Sequence, residues 1–185
     1  MMDEDFPPID DRDALHRLPP AVLEKASRPG RIRGIALETW TEARRDPARA
    51  GRALREGVRQ ARALHSRERR LVREGLYGMV RGHVRWTEQL GTDDPLVLWL
   101  ALLVEHGLPV EQASTQAAAC FDRVGSPCGS LGRHHGISEA VVDGLIAALG
   151  ADGARDFLSA SDRRAPVTLR AVSYTHLTLP TNREV

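Results

Sequence analysis

The chain has 185 residues, enough for one domain and a little more, and 42% hydrophobic residues can build an ordinary core. Aromatics are only 4%, so Leu, Val and Ala must do most of the packing. Two cysteines, Cys120 and Cys128, exclude a disulfide framework, and the longest apolar run, residues 96–104, is far short of the about 20 residues a membrane helix needs. The start is acidic where a signal peptide needs positive charge, so a cytoplasmic protein is expected.

The formal net charge of +1 conceals two opposed blocks. Residues 28–85 hold 16 Arg and 6 acidic residues, which gives +10 and leaves −9 for the remainder. Asp3, Glu4, Asp5, Asp10, Asp11, Asp13 and Glu24 make the leader acidic. Lys25 is the only lysine, a bias that a GC-rich coding sequence is enough to produce. Its physical consequence stands regardless of origin, because Arg stays charged and binds phosphate through two hydrogen bonds. A basic block beside an acidic leader suits a polyanion, although solvated helix faces give the same composition.

Residues 1–29, broken by Pro7, Pro8, Pro19, Pro20 and Pro29, are expected to be a mostly loose leader, with at most a helical turn at 14–18. The first helix is predicted over about 32–45, with Ile35, Leu37, Trp40 and Ala43 on its apolar side. Asp46-Pro47 has the form of a cap followed by proline at the first helical position, and opens a second helix to about Leu64. Leu54, Val58 and Ala61 share one face of it, and Arg52, Arg55, Arg59 and Arg62 the other.

Ser66 is the expected cap of a third helix that Gly91 stops. Val72, Leu76, Met79, His83, Trp86 and Leu90 recur along it within an arc of about 80°. His83 on that seam is a core histidine more readily than a ligand. Arg67, Arg70, Arg81 and Arg85 occupy a second arc of about 60° on the opposite side, a basic stripe expected to face solvent. Asp94-Pro95 opens a helix over 96–105 that is apolar all round, as suits the middle of a bundle. Pro109 begins another helix to Phe121, with Val110, Ala113, Ala117 and Cys120 inward. Residues 125–136 read as a loop. Ser138 caps a helix to Leu149, Gly150 stops it, and residues 154–160 make a last short helix. Residues 166–170, PVTLR, change period and look like the start of a strand. The expected fold class is therefore all-α, a bundle of about six helices between 32 and 160, followed by the first strand of another domain.

Two segments carry a family resemblance. SRERRLVREGLYGMVRGHVRWTEQL, residues 66–90, resembles the third-helix signature of NusB-like domains fused to RsmB-type rRNA methyltransferases, with Leu71, Glu74, Leu76, Tyr77, Gly78, Arg81, Trp86 and Leu90 in the signature positions. HHGISEAVVDGLIAALG followed by RRAPVTLR is similar to that family's junction into its catalytic domain, where Arg164, Ala165, Pro166, Thr168, Leu169 and Arg170 match. VEQASTQAAAC departs from the family's usual Asn-Glu-containing fifth helix, and a Gly-rich loop stands where a further helix is usual.

The resemblance implies a NusB-like RNA-binding bundle over residues 30–136 and a helical junction over 137–171. It implies a parent enzyme that methylates C5 of cytosine in ribosomal RNA with S-adenosylmethionine, whose cofactor and catalytic cysteines lie in a domain not contained here. The part in hand would be inactive alone and monomeric, and would bind RNA through Arg52, Arg55, Arg59, Arg67, Arg70, Arg81 and Arg85. A free-standing NusB-like module of transcription antitermination is the alternative, and a helical interaction domain without RNA is a third. Ser126-Pro127-Cys128-Gly129 superficially resembles a catalytic Pro-Cys loop, but it follows a helix rather than a buried strand, so a loop cysteine is expected. Cys120, Cys128, His134 and His135 have a spacing that matches none of the usual closed zinc patterns, so no metal is expected. No Gly-x-Gly-x-x-Gly loop offers a nucleotide cradle.

Residues 172–181, VSYTHLTLPT, resemble the translation of a sequencing-library adapter, and the segment 172–185 is set apart from the fold as foreign. Its deletion is expected to leave the melting temperature unchanged within about 1 °C, since a segment that packs against nothing contributes no burial. A fall of several degrees in a thermal melt would make the tail part of the domain.

Overall fold

A computed structural model describes residues 18–162, apart from Pro47, Ala118 and Pro127. The expected strand start at 166–170 and the tail at 172–185 lie outside the described residues. Eight α-helices are present among the described residues, with no strand: α1 Pro20–Ser27, α2 Arg31–Arg45, α3 Ala50–Gln60, α4 Ser66–Leu90, α5 Pro95–Glu105, α6 Val110–Ser114, α7 Leu131–His135 and α8 Glu139–Ser161. Single 3-10 turns at Ala61–Ala63 and Phe121–Arg123 complete them. The chain is thus a helical bundle, as its periodicity implies.

The bundle is built around α5. Asp94 accepts hydrogen bonds from the Leu96 and Val97 amides at 2.8 and 3.1 Å, and Pro95 needs no amide partner, so the helix starts where the cap-and-proline pair places it. Leu98, Trp99, Leu100, Ala101 and Leu103 are fully buried, Leu102 almost so. Helices α2 and α4 pack on it from two sides, and α3 packs chiefly on α2. Gly57 of α3 lies so close to Thr39 of α2 that a Cβ there would meet the threonine side chain at 2.1 Å. Gly91 in the left-handed conformation (φ 69°) ends α4, as expected.

Helix α4 meets α5 through glycine. A Cβ at Gly75 would stand 2.7 Å from the Trp99 ring, and one at Gly78 would stand 2.7 Å from Leu102. The Trp99 indole is pinned at its far end, where Nε1 donates to the Ala26 carbonyl at 3.0 Å. That bond makes α1 part of the core: Leu23, Ala26 and Ser27 are all buried. Residues 20–27, expected as part of a loose leader, are therefore helical and docked. Local sequence gave no sign of this helix because eight residues cannot hold themselves helical, and only docking against α5 does so.

Four further boundaries differ from expectation. His65 rather than Ser66 is the cap of α4; Glu68, one turn in, accepts from the His65 amide at 3.2 Å. Asp46 ends α2 and binds the Ala48 amide, so α3 begins only at Ala50. The helix expected over 109–121 stops at Ser114, where the Thr115 hydroxyl donates back to the Gln112 carbonyl and competes with helical propagation. Phe121 is buried in the following 3-10 turn instead, and Cys120 is exposed rather than inward. Within the expected loop, Ser130 caps the single turn α7, whose His134 and His135 are buried. Gly150 (φ 75°, ψ 169°) breaks the long C-terminal segment into two helical stretches, matching the expected stop there.

Gly75→Ala is expected to cost about 1–3 kcal/mol in a denaturant titration, because the Trp99 ring that the new methyl meets is held by its own hydrogen bond and cannot retreat. An unchanged midpoint would show that the α4–α5 contact yields freely.

Candidate nucleic-acid interface

The seven arginines singled out by spacing fall into three groups. Arg52, Arg55 and Arg67 are exposed and Arg70 is half-buried, and none of these four has an ion pair with a described residue. Arg81 is also exposed. Arg59 is exposed but held by its own helix: its Nε and Nη2 donate to the two oxygens of Glu56 at 2.8 and 2.6 Å. The same bond holds the Glu56 carboxyl below the usual carboxylate range.

Arg85 is the correction. Its spacing puts it on the solvent stripe, yet only 7% of its side chain is exposed, and Nη2 donates to Glu105 of α5 at 2.9 Å. Its guanidinium also lies 5.6 Å from the Trp86 ring centre. The cause is the position of the core on α4. Counting only large apolar residues centres the seam on Val72, Met79 and Leu90, but the buried arc of α4 also includes Leu71, Gly75, Gly78, Gly82 and Gln89. The glycines carry no hydrophobic signal, although they mark the face pressed against α5 and against the ring of Trp86, which folds over Gly82. Widening the arc toward them carries its edge to the position of Arg85.

What α4 presents outward is a stripe of Arg70, Arg73, Tyr77, Val80 and Arg81, with Tyr77 42% and Val80 43% exposed. Arg73 pairs with Glu74 at 2.7 Å on this surface. On α3, Arg49, Arg52, Arg55 and Arg59 line a shallow groove together with Glu42 and Glu56. The 3-10 turn at Ala61–Ala63 joins the two helices, so the cations of α3, exposed Arg62 and those at the start of α4 form a continuous run along the chain. Helix α3 packs mainly on α2 and only lightly on α4, which it joins at its N-terminal end through the 3-10 turn.

The remaining chemistry-bearing residues have structural partners. Glu88 of α4 accepts from the Gly129 amide at 3.0 Å and pairs with Arg133 at 3.4 Å, anchoring the segment before α7. His135 Nδ1 lies 2.5 Å from Asp162, joining α7 to the end of α8. His83, expected as a core histidine, is only half-buried; it packs edge-on against Trp40 with ring centres 5.4 Å apart, at the margin of the core. Burial pushes the Cys128 thiol above its ordinary pKa, the opposite of what a nucleophile needs. Among the described residues, no three His, Cys, Asp or Glu side chains converge as a metal set.

Arg85→Gln is expected to destabilise the fold by about 3 kcal/mol, because it removes the buried guanidinium that ties α4 to Glu105 of α5, whereas Arg67→Gln should stay within about 0.5 kcal/mol. Chemical denaturation of both variants checks this, and the double change Arg85→Met with Glu105→Leu should recover most of the loss. Equal stability of the two single variants would return Arg85 to the surface. Comparison of the chain with protein-family models, with curated proteins and with solved structures yields no match, so the assignment of function rests on this surface and on the sequence motifs.

Proposed function

We propose that this chain is an RNA-binding helical module of the NusB-like kind that precedes the catalytic domain in rRNA cytosine-C5 methyltransferases. The observation that carries it is the set of exposed arginines Arg52, Arg55, Arg62, Arg67 and Arg81, with half-buried Arg70 among them, running from α3 through the 3-10 turn onto the outward face of α4. Arg52, Arg55, Arg62, Arg67 and Arg70 have no ion pair with a carboxylate among the described residues, which favours a polyanionic partner over a self-contained salt-bridge lattice. Guanidinium groups so placed bind phosphates, which position an RNA without reading its sequence. The signature residues of 66–90 and the RAPVTLR segment support the family reading and favour the junction over a free-standing antitermination module. S-adenosylmethionine, in this reading, belongs to the parent enzyme's catalytic domain.

Arg85 leaves the set of RNA contacts and becomes the residue that holds α4 against α5, and Arg59 contributes only if it exchanges Glu56 for phosphate. The test is a filter-binding series with structured RNA over a range of salt. The wild-type chain is expected to bind with a steep salt dependence. Replacing Arg67, Arg70 and Arg81 together with Gln should weaken binding roughly equally for all sequences and reduce the log–log salt slope by about one unit or less per arginine. Calorimetry with S-adenosylmethionine should give no heat of binding. Unchanged affinity and slope in the triple variant would dispose of the interface.

A further inference from the structure

We infer that Tyr77 is a stacking platform for an unpaired base, so that the outward face of α4 takes RNA at a loop or single-stranded segment rather than along a duplex. The inference rests on the RNA-binding reading above and names its substrate class.

Tyr77 is the only tyrosine among the described residues, and it sits in the middle of the outward face of the longest helix with 42% of its surface exposed. The chain has just eight Phe, Trp and Tyr residues, and four of the described ones, Trp40, Trp86, Trp99 and Phe121, are spent in the core. Tyr77 contributes little to that core. Its neighbours one turn away are Arg73 and Arg81, and Arg70 lies two turns back on the same face. Residues four apart on a helix hold their Cβ atoms about 5–6 Å apart, so Tyr77 is flanked along the helix by an arginine one turn to either side. Val80, 43% exposed, extends the apolar centre of the stripe.

A bare cationic stripe serves the phosphates of any nucleic acid. An aromatic ring at its centre serves a flat apolar partner carried on a polyanion, and an unpaired base is that partner. In a duplex the base faces are consumed by stacking, and the deep, narrow major groove of A-form RNA admits no side chain. A convex helix face therefore reaches a base only where the RNA is unpaired, as aromatic platforms in single-strand binders do. The charges also argue against a protein helix as occupant: Arg70, Arg73 and Arg81 surround the apolar centre, and Glu74, already paired to Arg73, is the nearest acid on that face.

The experiment compares a single-stranded oligoribonucleotide with a fully paired RNA duplex carrying the same number of phosphates. Each is titrated into wild type, Tyr77→Leu and Tyr77→Phe in anisotropy assays, with a thermal melt of each variant to establish folding. Tyr77→Leu is expected to weaken single-strand binding by about 5- to 100-fold, leave duplex binding and the salt slope unchanged, and be rescued by Tyr77→Phe. Equal effects of Tyr77→Leu on both RNAs, or none on either, would overturn the stacking assignment while leaving the arginine interface standing. Failure of the wild type to bind either RNA would overturn the RNA reading and this inference with it. Self-association of the wild type that Tyr77→Leu abolishes, without a change in RNA affinity, would instead make the stripe a protein contact and refute the inference.

Discussion

The close crossing of α4 over α5 governs the rest of the fold. Gly75 and Gly78 leave no side chain between the helices, so Trp99 and Leu102 fill the space that a methyl group would occupy. Because Trp99 sits that deep, its indole nitrogen reaches past α5 to the Ala26 carbonyl, and a short helix from the leader becomes core. The same approach fixes how α4 is rotated about its axis, which decides which of its arginines are wet and which are dry.

That rotation sorts the charges. Arg85, at the edge of the buried arc, is drawn under cover and needs the Glu105 carboxylate, since an unpaired guanidinium in that position would lose its hydration without replacement. Arg67, Arg70 and Arg81 turn to solvent, and Tyr77 turns with them. Surface carboxylates take a share of the cations, Glu56 holding Arg59 and Glu74 holding Arg73, but such exposed pairs are worth little and a phosphate can displace them. A stripe whose cations exceed its carboxylates thus follows from a packing decision made on the opposite side of the same helix.

The C-terminal part of the described chain depends on α4 through α7. Glu88 and Gln89 bind backbone groups of the preceding segment, Gly136 lies against the Arg81 carbonyl, and His135 meets Asp162 at the end of α8. Helix α8 itself buries only Val142, Ala154 and Leu158. It therefore takes its place from α7 and its caps rather than from a wide apolar face of its own.

Several helix boundaries were legible in the amino-acid sequence because each of their signals is local. The Asp94-Pro95 start, the Gly91 stop, the apolar run of α5 and the break at Gly150 depend on a residue and its near neighbours, so they survive any tertiary arrangement. The cationic character of α3 and α4 was equally plain from spacing. Only the tertiary structure decided that residues 20–27 are helical, that Arg85 is buried and that Tyr77 faces out among the arginines of α4. Each of these depends on how near two helices come and at what rotation. Glycine sets that distance while adding nothing to a hydrophobic pattern, so the face that mattered most to α4 was the one its sequence signalled least.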